Sequence, residues 1–207
     1  DYISFEARPL SREILAHAHA AFPSLNKYSA LLLTNLPPRW PGLHLRHFNQ
    51  GRLRLHLYYG LAESCLTQVS FVADVWFLDG FSPAKNPEIW SNTVLTQVGR
   101  LTRPGGSVAS FTAARVVCDR LRAAGFNITK RQGYGVKREM IIGHKVGVKT
   151  NCASLGSNLP VVGIIGGGIA GTSVAAGLAR RGAAVTILES GPRLANGASG
   201  NRLALQS

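Results

Sequence analysis

The sequence predicts an α/β protein: an open, largely parallel sheet with an antiparallel edge, followed by the start of a second α/β unit. Three observations predict it. Short apolar strands alternate with helical stretches from Tyr2 to Ala124. Two strands then follow one another directly, Phe126 to Arg131 and Glu139 to Lys145, around Gly133-Tyr134-Gly135. Past a Gly, Ser and Asn stretch from Lys145 to Pro160, a strand, a glycine turn, a helix and a strand recur once more.

Each element has its own signal. Tyr2-Ile3-Ser4-Phe5-Glu6 reads as a strand ending in an acid, and Pro9 opens a helix from Leu10 to Ala21 with Leu10, Ile14, Ala18 and Ala21 on one face. Pro37-Pro38 and Pro41-Gly42 break the chain. Leu43 to Phe48 and Leu53 to Tyr58 alternate apolar and polar across Asn49-Gln50-Gly51, as a hairpin does. Val75-Trp76-Phe77-Leu78 lacks alternation and reads as a strand buried on both faces, ending at Asp79. A helix is expected over Glu88 to Leu101, stopped by Pro104-Gly105-Gly106, then a buried strand from Ser107 to Phe111. Arg115 to Ala124 follows as a helix that Gly125 closes. After the linker come strand Pro160 to Ile165, helix Ile169 to Arg181 and strand Ala184 to Leu188. The expected domains are 1–146 and 160–207, with 147–159 as linker.

Composition narrows the function classes. The chain has 207 residues, 45% of them hydrophobic, with mean hydropathy +0.08, enough to bury a core and incompatible with disorder. Its 23 Lys and Arg against 10 Asp and Glu leave +13 and a pI near 10.5, a field that attracts phosphate-rich partners. Cys65, Cys118 and Cys152 are far apart and without C-x-x-C spacing, so reduced thiols are expected. His17, His19, His44, His47, His56 and His144 bring no second ligand set, so no metal is expected. Thr150 to Ala179 carries no charge and contains G-x-x-x-G spacing, yet Pro160 and its glycines leave too few apolar residues for a membrane span. With no signal or transit peptide, a cytoplasmic protein without membrane contact is expected. A start at Asp1 suggests a fragment of something longer.

Gly166-Gly167-Gly168-Ile169-Ala170-Gly171 follows a Val/Ile strand and opens a helix. Gly166 permits the tight turn, Gly168 lets the backbone approach a pyrophosphate, and Gly171 allows helix and strand to pack closely. The helix start supplies N–H groups to the phosphate. Glu189 ends the next strand, 18 residues beyond Gly171, where a carboxylate accepts hydrogen bonds from a ribose diol. Together these read as a Rossmann-type dinucleotide site. Gly197-Ala198-Ser199-Gly200-Asn201 resembles the second phosphate-side loop of FAD-dependent amine oxidases of the glycine and D-amino-acid oxidase kind. That favours FAD over NAD, with Ser199 and Asn201 among the cofactor contacts.

Asp79 stands at the end of a central strand, where open α/β sheets bind ligands, before a loop stiffened by Gly80, Pro83 and Pro87. Phe81 and Trp90 offer flat apolar faces there, and Lys85 a cation. An acid that orients an amine beside an aromatic that excludes water suits group transfer to nitrogen. The layout is similar to the Asp-Pro-Pro-aromatic loop of amino-methylating methyltransferases. Glu6, ending an earlier strand, occupies the place where class I methyltransferases hold the ribose of S-adenosylmethionine. From Lys130 to Arg138 four cations, two glycines and Tyr134 fall within nine residues. Phosphate contacts from Lys130, Arg131, Lys137 and Arg138 with one stacking ring suit RNA.

Long motifs carry a family resemblance. Leu78-Asp79-Gly80-Phe81-Ser82-Pro83-Ala84-Lys85-Asn86-Pro87-Glu88-Ile89-Trp90, Arg103-Pro104-Gly105-Gly106, Phe111-Thr112-Ala113-Ala114 and Gly133 to Met140 resemble the methyltransferase half of the bifunctional tRNA 5-methylaminomethyl-2-thiouridine biosynthesis (MnmC) family. Ile164 to Ala170 and Gly197 to Asn201 resemble the start of its FAD half. The resemblance runs over essentially the whole chain. It implies a class I methyltransferase-like open sheet lacking its first strand, then the first βαβ unit of a Rossmann-type FAD domain. It further implies two steps on the wobble uridine of tRNA. The FAD half removes a carboxymethyl group from a 5-carboxymethylaminomethyl side chain, and the other half methylates the resulting amine from S-adenosylmethionine. Asp79 would face the amine and Glu6 the cofactor ribose, while Gly166, Gly168, Gly171 and Glu189 would carry FAD.

The chain departs from the family in three ways, one being that the catalytic bulk of the FAD half would follow Ser207. The glycine-rich strand and loop that open the family would precede Asp1, and Gly60-Leu61 stands where the family has Gly-Asp near the adenine. The 207-residue chain alone is therefore expected to turn over little with either half, its intact parent being monomeric. An FAD amine oxidase with an N-terminal extension and a non-catalytic RNA-binding remnant are the competing readings.

Overall fold

The structure is a computed structural model that describes residues 1–133, 135, 138–147 and 161–195. The chain divides into two compact units, Asp1–Arg46 with Leu55–Thr150, and His47–Arg54 with Asn151–Ser207.

The elements run β1 (Tyr2–Glu6), α1 (Arg12–Ala20), α2 (Asn26–Thr34), β2 (Gly42–Phe48), β3 (Leu53–Tyr59), α3 (Ala62–Gln68), β4 (Ala73–Leu78), α4 (Asn92–Leu101), β5 (Thr102–Ser110), α5 (Arg115–Ala123), β6 (Phe126–Gln132) and β7 (Glu139–Lys145). Two sheets form, in the orders β1-β3-β2 and β4-β5-β7-β6. β1 lies parallel to β3 from Tyr2↔Leu55 to Glu6↔Tyr59, and β4 parallel to β5 with Leu78 opposite Ser110. β7 runs antiparallel to both β5 and β6, which gives the expected antiparallel edge. This is the mixed α/β architecture that the strand pattern predicts, divided between two sheets rather than one, and the family resemblance implies its methyltransferase-like character.

The core lies on one face of the four-stranded sheet. Val94, Leu95, Val98 and Leu101 of α4 recur at helical spacing and bury against Val108, Val117, Leu121, Phe126 and Ile141, with Leu66 of α3 beneath them. Trp76 and Leu78 of β4 pack on this cluster. Val75 and Phe77, pointing the other way, are 50% and 68% exposed. β4 was expected to be buried on both faces; successive residues of a strand face opposite sides, and the described residues cover only one of them.

Local physics moves several other boundaries. Ser11 caps α1 by accepting the Ile14 N–H at 3.3 Å, so the helix starts at Arg12 rather than Leu10. Ser91 caps α4 the same way through Val94 N–H at 3.2 Å. Its extended backbone (ψ 158°) splits the expected 88–101 helix into a 3₁₀ turn, Glu88–Trp90, and α4. Pro104-Gly105-Gly106 does not stop the chain before a strand, because β5 begins at Thr102 and runs through it. The helices α2 and α3 are additional to those the sequence suggests.

The second unit holds a parallel pair, β8 (Val161–Ile165) and β9 (Ala184–Leu188), in register from Val161↔Ala184 to Ile165↔Leu188, joined through α6 (Ile169–Ala179). This is one βαβ unit: β9 has the bounds expected, β8 is described from Val161 because Pro160 lies outside the described residues, and α6 ends at Ala179 rather than Arg181. Among the described residues no helix is long and apolar enough to cross a membrane.

Candidate functional site

Asp79 follows the last residue of β4 and is exposed. Its placement is prepared on both sides. Upstream, the Ser110 hydroxyl at the end of β5 donates to the Leu78 carbonyl at 2.8 Å and accepts the Thr112 N–H at 3.3 Å, which pins the strand end. Downstream, a Cβ on Gly80 would lie 2.8 Å from the Ile89 side chain, so a larger residue would push Ile89 aside where the loop closes on itself. The Lys85 and Asn86 N–H groups both donate to the Ser82 carbonyl, at 2.8 and 3.0 Å, and make the turn rigid. Phe81 is 75% exposed beside Asp79, and Lys85 is exposed.

Trp90 does not offer the open apolar face expected of it. It is 2% exposed, edge-on to Phe111 with ring centroids 6.4 Å apart, and its indole N–H donates to the Phe81 carbonyl at 2.7 Å. A large ring next to the α4 core gains more from burial than from an open loop. Trp90 therefore holds the loop from inside. Ser110, which sequence reasoning overlooked, shares that work; the only signal for it was a hydroxyl at a strand end beside the acid.

Glu6 ends β1 with its Oε1 accepting the Arg8 N–H at 2.7 Å, while its carbonyl accepts the Gly60 N–H at 2.9 Å. The ends of β1 and β3 thus meet, with an exposed carboxylate and Gly60-Leu61 side by side. That fits the ribose hydroxyls of S-adenosylmethionine. Leu61, where the family resemblance implies an acid near the adenine, is 63% exposed and presents an apolar side chain.

Of the basic segment, Lys130 is paired with Glu139 at 2.8 Å, and that hydrogen bond and charge hold its ammonium above the usual lysine range. Arg131 and Arg138 are exposed, and the Gly133 N–H closes the turn on the Arg138 carbonyl at 3.2 Å. Tyr134 and Lys137 lie outside the described residues, as do Ser199 and Asn201 and all of the 147–159 linker except Gly147.

In the second unit the glycine loop is built as its spacing requires. Gly166 has φ +97°, and a Cβ on Gly171 would stand 1.9 Å from the Gly166 carbonyl oxygen. Gly168 ends the loop in extended backbone and opens α6. Glu189 reaches back across it: Oε2 accepts the Gly167 N–H at 2.7 Å, and Oε1 accepts the Gly191 N–H at 3.0 Å and the Ser190 hydroxyl at 3.1 Å. The Gly191 and Gly167 amides and the Ser190 hydroxyl hold its carboxyl below the usual glutamate range. At Gly167, which had no assigned role, a Cβ would stand 2.5 Å from the Leu194 side chain and 3.0 Å from Glu189 Oε2, so both would have to shift. An ionised acid on a glycine loop at a helix start has the chemistry to hold the ribose and pyrophosphate of FAD. Among the described residues no group of His, Cys, Asp and Glu could hold a metal.

The chain is similar to known proteins. The chain is 43% identical over 97% of its length to the tRNA 5-methylaminomethyl-2-thiouridine biosynthesis bifunctional protein MnmC of Magnetococcus marinus, and 42% identical over 97% to that of Aeromonas salmonicida. It spans 31% and 32% of those relatives, about a third of their length. The crystal structure of MNMC2 from Aquifex aeolicus superposes with a TM-score of 0.55 at 26% identity, covering 70% of this chain and 44% of that one. Residues 162–205 match the FAD dependent oxidoreductase family, which brings FAD beside S-adenosylmethionine as an implied cofactor. Residues 23–146, more than half of the sequence, match the other half of the pattern, and the chain belongs to the S-adenosyl-L-methionine-dependent methyltransferase family.

Proposed function

We propose that the chain carries parts of two enzymes that act in succession on the wobble uridine of tRNA. Residues 1–146 contribute to methylation of the primary amine of 5-aminomethyl-2-thiouridine. Residues 160–207 contribute to the flavin-dependent removal of a carboxymethyl group that exposes that amine, and 147–159 link them. The observation that carries this reading is the identity with the bifunctional relatives over 97% of the chain, which runs across both family matches.

S-adenosylmethionine supplies an electrophilic methyl group and the flavin accepts a hydride. Asp79 accepts an N–H from the amine, which aims the nitrogen lone pair at the methyl donor, and takes up the positive charge that develops as the N–C bond forms. Phe81 excludes water beside it and packs on the uracil ring. Glu6 holds the donor's ribose hydroxyls, and Glu189 those of FAD. Arg131 and Arg138, with Tyr134 and Lys137, contact the tRNA. A tRNA substrate sets the protein in the cytoplasm, as a monomer.

The test is chemical. The gene is deleted in its own cell and bulk tRNA is digested to nucleosides for mass spectrometry. Loss of 5-methylaminomethyl-2-thiouridine with accumulation of the carboxymethylaminomethyl nucleoside is expected. A chromosomal Asp79→Asn allele should instead accumulate the free 5-aminomethyl nucleoside. An unchanged nucleoside profile in both strains refutes the reading.

A further inference from the structure

We infer that a cleft beside α1, together with Trp40, forms a second RNA contact that holds one unpaired nucleotide by its phosphate and its base; this rests on the tRNA reading above. The cleft has a volume of about 340 Å³ and lies between the first turn of α1, with Arg12 and Glu13, and the segment Leu36, Pro37, Pro38 and Arg39. Both arginines are exposed. Glu13 is the single carboxylate among the described residues of the wall, so two cations less one anion leave the cleft at +1. Ser11, the Glu13 backbone N–H and the two guanidiniums keep the Glu13 carboxyl below its usual range.

Trp40 follows Arg39 directly and is 72% exposed, the largest side chain left so open among the described residues. Its backbone is fixed, since His44 Nε2 donates to its carbonyl at 2.8 Å. An indole held at its main chain and open on its ring, one residue beyond a cleft that carries two guanidiniums, has the parts that bind unpaired nucleic acid: a stacking platform and phosphate contacts. The cleft also faces the right way. α1 starts from the end of β1, where Glu6 meets Gly60 at 2.9 Å. His44, just inside β2, packs on Tyr59 at the end of β3, with ring centroids 4.8 Å apart. Trp40, the cleft and Glu6 therefore share one end of the three-stranded sheet. A nucleotide neighbouring the modified uridine, held there, would fix the register of the RNA.

Fluorescence anisotropy with the 207-residue chain and a labelled anticodon stem-loop RNA, over a range of salt, tests this. Trp40→Ala should weaken binding roughly tenfold with the salt slope unchanged, since stacking involves no counterion release, and Trp40→Phe should restore most of it. The double variant Arg12→Gln/Arg39→Gln should make the slope of log K against log salt shallower by about 0.7 for each phosphate left without its guanidinium. All three side chains are exposed, so the variants should keep the wild-type circular dichroism. Wild-type affinity and slope in both the alanine and the double-glutamine variants overturn the clamp while leaving the tRNA reading in place. Failure of the wild-type chain to bind the stem-loop overturns the clamp along with that reading.

Discussion

Trp90 and Phe81 are joined by one hydrogen bond: an indole that is 2% exposed donates at 2.7 Å to the carbonyl of a residue whose own ring is 75% exposed. The loop that carries Asp79 is thus fastened to the core at its outermost aromatic, while Ser110 fastens the strand end before it. The candidate site is a surface loop with buried anchors.

Replacing Trp90 by Phe keeps a ring in the core and deletes that bond, leaving the Phe81 carbonyl without its buried donor. A loss of about 1 kcal/mol is expected, against about 3–5 kcal/mol for Trp90→Ala, which also leaves a cavity in the core. Urea titrations of the two variants measure both. A Phe variant as unstable as the Ala variant would show that the N–H, which both variants lose, matters more than the ring volume that only the Ala variant gives up.

Gly99 marks where α4 meets the chain after α5. A Cβ there would stand 2.5 Å from the Ala124 carbonyl oxygen, a backbone atom with no side-chain freedom to retreat. Gly99→Ala would gain up to about 1 kcal/mol in helix propensity. The clash should outweigh this and destabilise the unit by about 1–3 kcal/mol net. A variant more stable than wild type in thermal unfolding would show that α4 shifts freely, against the tight packing described.

How much of this was legible depended on whether the deciding interaction is local. The strand at 184–188, the glycine turn and Glu189 follow from side-chain type and spacing, which the βαβ unit needs in order to close. Helix α2 gave no warning: it has no side-chain cap, and Leu31-Leu32-Leu33 is a run without helical period. Helix α3 buries only Leu66 in seven residues, too little for a stripe. Trp90 was misplaced because its value as a ligand face or as an anchor is decided by a carbonyl nine residues away. An apolar run likewise does not say how many of its faces are covered, which is why Val75 and Phe77 were expected inside.

The glycines of the second unit separate spacing from need. Gly171 cannot take a Cβ at 1.9 Å from the Gly166 carbonyl oxygen, whereas nothing among the described residues lies within 4 Å of a Cβ on Gly163. Gly171→Ala should push α6 off the loop and abolish flavin uptake. Gly163→Ala, in a strand where glycine is itself unfavourable, should be neutral or mildly stabilising. Titration with FAD followed by flavin fluorescence distinguishes them. Equal uptake by both variants would mean that close packing of helix on loop does not shape the cofactor site.

Glu189 makes its loop pH-dependent in a direction that can be worked out. Its carboxyl lies below the ordinary value of 4.5 because the Gly191 and Gly167 amides and the Ser190 hydroxyl all donate to the ionised form. Folding therefore favours the carboxylate over the acid, and the stability it contributes is present above pH 4.5 and lost as pH falls through the lowered value. The protonated group still accepts, but more weakly, so both amides should lose their hydrogen-bonded shifts together. In a ¹⁵N-labelled chain, the Gly167 and Gly191 amide protons should titrate with one shared midpoint below 4.5. Glu189→Gln should flatten both curves. Separate midpoints, or a shared one at or above 4.5, would mean that the carboxylate does not bridge the two amides, and the acid would lose its claim to a preformed ribose site.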